Sequence, residues 1–349
     1  MIDTDILIVG GGIAGASLGA ALAGRRRVLL IEREARCGHH STGRSAAFWL
    51  ESYGGPAVAP LSQASHAFLE AHHWLRPRGA VHISRTGDFA RLPPSAPLDR
   101  AALEQCIPGL RPAWQYGRDE ASCADIDVAA FHAFTLQALR RAGGEVRTDA
   151  QLIAAVRDGG GWRVTLSDGS AIRAALLVNA AGAWADEVAA AAGVRPIGIA
   201  PKRRTMIQLR VGQTGLRDLP LVIDADEQFY FKGEGERTIW LSPHDEIDCL
   251  PCDAAPEEID VATAIARFEA VVDWPVEAVE RRWAGLRSFA RDRVPVYGYD
   301  VREANLFWCV GHGGFGIQTA PAAAALAAAL MLGEAPKLDP APFDPARFG

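Results

Sequence analysis

Read for apolar and polar positions, the first thirty-odd residues divide into strand, turn, helix and strand. Ile6-Leu7-Ile8-Val9 is a β-branched apolar run, residues 14–23 are small and helix-tolerant, and Val28-Leu29-Leu30-Ile31 is a second apolar run closed by Glu32. Short runs with no polar face predict strands covered on both sides, as in a parallel sheet flanked by helices. The pattern returns later. Residues 129–141 carry helical spacing through Phe131, Phe134, Leu136 and Leu139, and Gly143-Gly144 stops the helix. Residues 145–148 predict a strand, and 152–156 and 162–166 flank a glycine-rich turn as a hairpin. Leu176-Leu177-Val178-Asn179 runs into the small-residue turn Ala180-Ala181-Gly182-Ala183-Trp184. Residues 310–332 predict strand, glycine turn and long helix.

The intervening segments differ. Residues 76–127 are rich in Pro and Arg. Residues 195–282 carry β-like runs at 205–209, 229–231 and 238–241, then one helix over about 257–271. The expectation is an α/β chain of two domains. A Rossmann-like nucleotide-binding domain would come from residues 1–75, 128–194 and 283–349. A second domain, built on a mostly antiparallel sheet, would come from 76–127 and 195–282. With 349 residues, 49% of them hydrophobic, more than one core is affordable. The tail from 336 reads as irregular.

Charge and composition narrow the class. A net charge of −6 with no basic stripe argues against nucleic acid as a partner. No apolar run reaches the ~18 residues of a membrane span, the longest candidate being 321–332. The first strand starts within a few residues of Met1, which predicts no signal peptide and a cytoplasmic protein, peripheral membrane association being left open. On that basis the six cysteines read as reduced thiols.

The chemistry begins at Gly10-x-Gly12-x-x-Gly15, with Ile13 and Ala14 between the last two glycines. The first glycine permits a tight turn, the second lets backbone approach a pyrophosphate, and the third lets helix pack on strand. Glu32 falls where an acid would accept ribose hydroxyls. This fingerprint does not separate NAD from FAD. The loop His40-Ser41-Thr42-Gly43-Arg44-Ser45-Ala46-Ala47 follows the second strand. Its hydroxyls, guanidinium and small residues suit a pyrophosphate and a flat ring brought close, and a plain NAD domain has no need of it.

This loop, with the glycines and Glu32-Arg33, resembles the FAD-binding region of the D-amino-acid oxidase superfamily, in particular its bacterial D-arginine dehydrogenase branch. The resemblance continues through Val178 to Trp184, Pro201-Lys202-Arg203-Arg204, Trp283 to Phe289, and Gly313-Gly314-Phe315-Gly316-Ile317-Gln318-Thr319. It implies non-covalently bound FAD, although Cys309 near the last strand keeps covalent attachment open. Cofactor contacts would come from Gly10, Gly12, Ile13, Ala14, Gly15, Glu32, Arg33, Ser41, Thr42, Arg44, Ser45, Ala46, Ala47, Leu152, Ala180, Ala181, Gly182, Trp184, Gly313, Gly316, Ile317, Gln318 and Thr319, the last two facing the flavin. It further implies that Arg287 and Arg204 grip a substrate carboxylate, that Tyr230 and Tyr53 assist, and that the Gly314 carbonyl accepts from the substrate amine. Hydride would pass from Cα to flavin N5, leaving an imino acid. Arg287 lies in an apolar strand, where a guanidinium needs an anionic partner, and its planar fork suits a carboxylate. An internal salt bridge is the other reading for either arginine.

Two positions depart from the dehydrogenase branch. Phe48 stands for a histidine near the substrate, and Ala80 for a glutamate that pairs with the substrate guanidinium. A cationic side chain without an acid would be costly in an apolar pocket. Phe48, Trp49 and Tyr53 therefore favour an apolar or aromatic side chain, unless they are core. The expected function is oxidative deamination of an amino acid, D-configured by the resemblance, with the electron acceptor (a quinone, a dye-like carrier or oxygen) unassigned. Three rivals stand: a peroxide-producing oxidase of the glycine or sarcosine oxidase type, a dehydrogenase of a 2-hydroxy acid or of a secondary amine such as sarcosine or proline, and an FAD-binding subunit without turnover. None of the three lysines falls convincingly where sarcosine-oxidase-like enzymes activate oxygen. Cys249-Leu-Pro-Cys252 has no second pair and reads as a surface loop rather than a zinc or redox site, and His39-His40 and His72-His73 lack ligand spacing, so no metal is expected.

Overall fold

The computed structural model describes residues 2–349, and its backbone resolves into two large sheets. The apolar runs of the N-terminal third form the first. Ile2–Val9 lies between Val28–Ile31 and Ala171–Asn179, parallel to both, with Ile6 opposite Val28 and Leu176. Glu145–Arg147 adds in parallel beside Val28–Ile31. On the far side, Ala171–Asn179 pairs along its first half with the expected hairpin, Leu152–Asp158 and Gly161–Leu166. Its second half pairs in parallel with Leu306–Val310, which in turn meets Val296–Tyr299. Leu7, Ile8, Leu30, Leu177 and Val178 are fully buried, as strands covered on both faces require.

Three helices cover one face. Ile13–Leu22 packs against Val128–Arg141 and against the alanine-rich Gly316–Leu332. Small side chains let these helices approach closely: a methyl at Gly19 would already stand 3.0 Å from Leu139 Cδ1. Val128–Arg141 begins on Asp127, whose carboxylate accepts from the Ala130 amide and so caps the helix.

The second sheet has ten strands and is antiparallel except where Leu221–Asp224 meets Ala80–Ser84. At its centre Ala200–Val211 pairs with Val276–Phe289 over twelve positions, Lys202 facing Arg287 and Arg204 facing Gly285. Glu258–Glu269 covers its outer face through Val261, Ala264 and Phe268, within a cluster that includes Ile207, Leu209 and Phe231.

One expectation changes. Residues 76–127 supply Ala80–Ser84, Ala96–Leu98, Tyr116–Glu120 and the helix Arg100–Cys106, together with a three-stranded sheet of Phe48–Trp49, Leu75–Pro77 and Ala124–Ile126. These strands have only two to five residues, too few for an alternation to show. The expected boundary at 283 falls inside Val276–Phe289, which continues unbroken because its ladder with Ala200–Val211 extends to Phe289. The last stretch of the first sheet's segment thus starts after 289.

Candidate active site

A cavity of about 410 Å³ opens where the parallel strands end, at Val9, Ile31, Ala180 and Gly311, and extends to the face of the second sheet that carries Arg204, Met206, Gly285 and Arg287. Ligands in open α/β sheets bind outside the carboxyl ends of the strands. The N-termini of two helices face it, Ile13–Leu22 through Gly12 and Ile13, and Gly316–Leu332 through Gly316 and Ile317. Both bring the partial positive charge of a helix N-terminus to the cavity.

Most residues expected to hold a dinucleotide line this cavity: Gly10, Gly12, Ile13, Ala14, Glu32, Arg33, Ser41, Thr42, Arg44, Ser45, Ala46, Ala47, Leu152, Ala180, Ala181, Gly182, Trp184, Gly313, Gly316, Ile317 and Gln318. The Glu32 carboxylate is fixed by the amides of Gly11 (2.9 Å) and Glu34 (3.0 Å), which leaves lone pairs toward the cavity. Thr42 Oγ1 accepts from the Ile13 amide at 3.0 Å, so loop and fingerprint are tied together and the hydroxyl proton remains available. Trp184 lies against His40, ring centroids 4.5 Å apart, with the Arg33 guanidinium 5.0 Å from its ring. An acid at the end of the second strand, a glycine turn opening a helix and a lining of small residues fit a dinucleotide.

Gly15 and Thr319 lie off the cavity wall, and Ser41, Arg44 and Gln318 line it with side chains already engaged elsewhere. Gly15 is not on the wall: a Cβ there would stand 2.0 Å from the Gly10 carbonyl oxygen, so it serves helix–strand packing. The Ser41 hydroxyl donates to the Leu286 carbonyl at 2.6 Å. The Arg44 guanidinium donates to the carbonyls of His39, Ala254 and Ala284 and pairs with Asp253, which leaves it no free fork for phosphate. Both side chains pin residues 38–47 to the second sheet. Gln318 borders the cavity, but its amide is engaged by Leu50, Tyr53 and Ser62. Thr319 is fully buried and donates to the Phe315 carbonyl, turned away from the cavity. A single sequence shows which residues are polar, not which neighbour has already claimed them.

At the other end stands Arg287. Among the described residues it has no carboxylate partner, so the internal salt bridge is not what holds it. Gly314 comes right up to it: a Cβ on that glycine would lie 2.8 Å from Arg287 Cζ and 2.1 Å from Tyr53 Oη. Backbone pairing of Ser288 with Gly313 sets this approach. Arg204 is different. Its Nε donates to the Asp245 carbonyl at 2.6 Å, and Nη2 lies 3.5 Å from Glu246 Oε1, so the salt-bridge reading holds in part. Its Nη1 is buried without a partner, as is the Ser288 hydroxyl. Burial and the neighbouring Arg287 charge hold Arg204 below its ordinary pKa, a strain that an anion in the cavity would relieve.

Aromatic side chains frame these groups. Phe48 lies edge-on to Tyr230 at 5.8 Å and tilted to Tyr53 at 6.0 Å, in one cluster with Ala80, Met206 and Trp283. Tyr230 and Phe48 line the cavity, whereas Tyr53 stands behind, 5.9 Å from Phe315 and 5.8 Å from the Arg287 guanidinium. Ala80 pairs across the sheet with Glu120, so an acid is nearer than expected. That carboxylate is bound by Ser52 and His82 and is not part of the lining.

Two histidines had escaped the sequence reading. His244 donates to the Glu227 carbonyl, its ring 5.6 Å from Tyr230, and burial together with Arg204 and Arg287 lowers its pKa to about 2. His312 lines the cavity against Tyr297, and burial lowers it to about 4. Both are neutral at pH 7. His312 precedes the glycine turn and was open to notice, but His244 reaches the site only through the fold. Glu34, His39 and His40 bring donor atoms within 4.8 Å of one another, a grouping that the spacing of His39-His40 alone does not show. Arg44 Nη2 lies 3.4 Å from His39 Nε2, which disfavours a second cation there. Cys309 is buried in the core with Phe307 and Tyr297, and no cysteine is among the residues lining the cavity.

The chain belongs to the family of FAD dependent oxidoreductases, whose pattern matches residues 5–330. It is thus an FAD-dependent oxidoreductase, and FAD is the dinucleotide that the cavity fits. It is 26% identical to a glycine oxidase of Pseudomonas aeruginosa, over 98% of each chain. It is also 26% identical to the bifunctional protein ThiO/ThiG of Synechocystis, matching with 99% of this chain but spanning only about half (54%) of that protein. Among solved structures, the glycine oxidase of Geobacillus kaustophilus superposes with a TM-score of 0.85 at 20% identity, covering 99% and 98% of the two chains. The L-proline dehydrogenase of P. horikoshii gives 0.86 at 20% identity with the same coverage. At that identity the structures speak for the fold. No helix among the described residues is long and apolar enough to cross a membrane.

Proposed function

We propose that this protein oxidises an α-amino acid with an apolar or aromatic side chain, of D configuration, to its imino acid. The observation that carries the reading is the unpaired Arg287 guanidinium packed against Gly314 at the mouth of the glycine turn. Arg287 offers the carboxylate two parallel N–H donors, and the partnerless Nη1 of Arg204 offers a third. The Gly314 carbonyl is assigned to the substrate amine, which fixes the Cα–H direction between two anchored groups. FAD, when bound, supplies the two-electron chemistry. Phe48, Tyr230 and Met206 receive the side chain, and the engaged state of Glu120 leaves no free acid for a guanidinium or ammonium there. Relatives described as glycine oxidase and L-proline dehydrogenase support an amino acid as substrate.

Electrons are assigned to an acceptor other than oxygen. Lys232 is held by Asp125 and Glu234, Lys202 by Asp248, and neither lines the cavity. The test is anaerobic bleaching of the flavin band against a panel of D- and L-amino acids, glycine, sarcosine, proline and 2-hydroxy acids, followed by peroxide and dye-reduction assays. Bleaching by D-phenylalanine or D-leucine well ahead of D-arginine is expected. Bleaching only by L-amino acids refutes the stereochemistry, only by 2-hydroxy acids the substrate class, and none by any compound the activity.

A further inference from the structure

Residues 244–254 form a strap that joins the two ends of the cavity. At its start, Asp245 and Glu246 hold Arg204. In its middle, Ile247–Asp248 pairs with Lys202 and Arg203, and the Cys249 amide donates to the Pro201 carbonyl. At its end, Asp253 and the Ala254 carbonyl hold Arg44, which pins residues 38–47 on the cofactor side. Cys249 and Cys252 sit between these anchors with their sulfurs 3.5 Å apart. Cys249 is half-buried against Ala183, Trp184 and Leu286, while Cys252 is exposed. A disulfide needs its sulfurs about 2.05 Å apart, so closing this pair moves them by only ~1.5 Å.

We propose that Cys249 and Cys252 are a reversible dithiol–disulfide site, oxidised by small disulfides, that stiffens the strap and slows release of FAD. The exposed Cys252 gives up its proton and attacks a sulfur of glutathione disulfide, whose S–S bond breaks and expels one glutathione thiolate. Cys249 then loses its proton and attacks the Cys252 sulfur, forming the internal bond and expelling the second glutathione. The two protons end on the two glutathiones, so two thiols are oxidised and one disulfide is reduced. Arg44 couples this bond to the cavity, because its guanidinium joins the end of the strap to the His39 carbonyl.

The experiment equilibrates the holoenzyme in graded glutathione/glutathione disulfide mixtures, blocks free thiols with iodoacetamide and weighs the peptides. The peptide holding both cysteines is expected to lose about 2 Da and to resist alkylation as the mixture becomes oxidising, and Cys249→Ser to accumulate a glutathione adduct at Cys252 instead. Release of FAD, followed by its fluorescence after dilution, is expected to slow at least about threefold in the oxidised wild type and to be unaffected by the mixture in Cys249→Ser/Cys252→Ser. Alkylation of both thiols across the whole series overturns the site, as does a stable glutathione adduct on the wild type. An internal bond with unchanged FAD release overturns the coupling to the cavity.

Discussion

Replacing Arg287 by Met separates a ligand-binding guanidinium from a structural one. If Arg287 holds a carboxylate with two charge-assisted hydrogen bonds, each worth about 1.5 kcal/mol, removing it weakens binding by about 3 kcal/mol. At 1.4 kcal/mol per factor of ten, that is a loss of ~10²-fold. The fold should not suffer. Arg287 has no carboxylate partner among the described residues, so its removal leaves no buried acid unpaired. Arg204→Met should behave differently, because it abandons the Asp245 carbonyl and Glu246, and should lose about 1–3 kcal/mol of stability. The assay pairs the dissociation constant of a simple aromatic carboxylate, read from the flavin spectrum, with thermal melts free of carboxylate. Arg287→Met is expected to bind it ~10²-fold more weakly and to melt no lower than wild type. Binding within about threefold of wild type, or a melt as depressed as that of Arg204→Met, refutes the assignment.

Other substitutions probe the same arrangement. Gly314→Ala drives a methyl onto Tyr53 Oη and Arg287, so activity should fall about 10²-fold, and adding Tyr53→Phe should recover part of it; no recovery in the double variant refutes that packing. Gly15→Ala should yield protein purified largely without FAD, checked by the ratio of flavin to protein absorbance, since its methyl would overlap the Gly10 carbonyl. With His244 and His312 neutral, kcat/KM should show one rising limb between pH 6 and 10, set by the substrate amine, and His244→Asn should leave its midpoint unmoved. Burial alone would raise Asp125, but the Arg78 hydrogen bond and the Lys232 charge outweigh it and hold the carboxyl at about 2, below its unfolded value of 3.8. Asp125 therefore contributes about 2 kcal/mol of stability that is present above pH 4 and lost as pH falls toward 2, and Asp125→Asn should flatten that part of the melting curve.

Much of the cofactor side was legible along the chain because its signals are local. Four strands, three helices and the fingerprint each declare themselves within ten or fifteen residues, and nearly all the expected contacts fall on one cavity wall. Arg287 was legible too, as a guanidinium within an apolar run. Some chemistry looks free in sequence and is already bonded in space: Ser41, Arg44, Gln318 and Thr319 carry suitable groups, yet each side chain is committed to a backbone or side-chain partner. The strands of 76–127 were hard to read because three to five residues display no period, and one of them, Ala80–Ser84, pairs with Leu221–Asp224 more than a hundred positions away.

The doubly covered parallel strands, the glycine turns and the residue types that a dinucleotide needs follow from the order of residues, since each depends on steric and hydrophobic properties of near neighbours. Which polar groups remain unpartnered follows from the folded chain alone. Among the described residues Arg287 has no carboxylate partner while Arg204 is half-engaged, Glu120 is occupied, and two thiols three residues apart come into contact on the strap. Hydrogen-bond satisfaction belongs to pairs of groups, and partners such as Arg204 with Asp245 and Glu120 with His82 come from segments that are far apart along the chain and meet only in the fold.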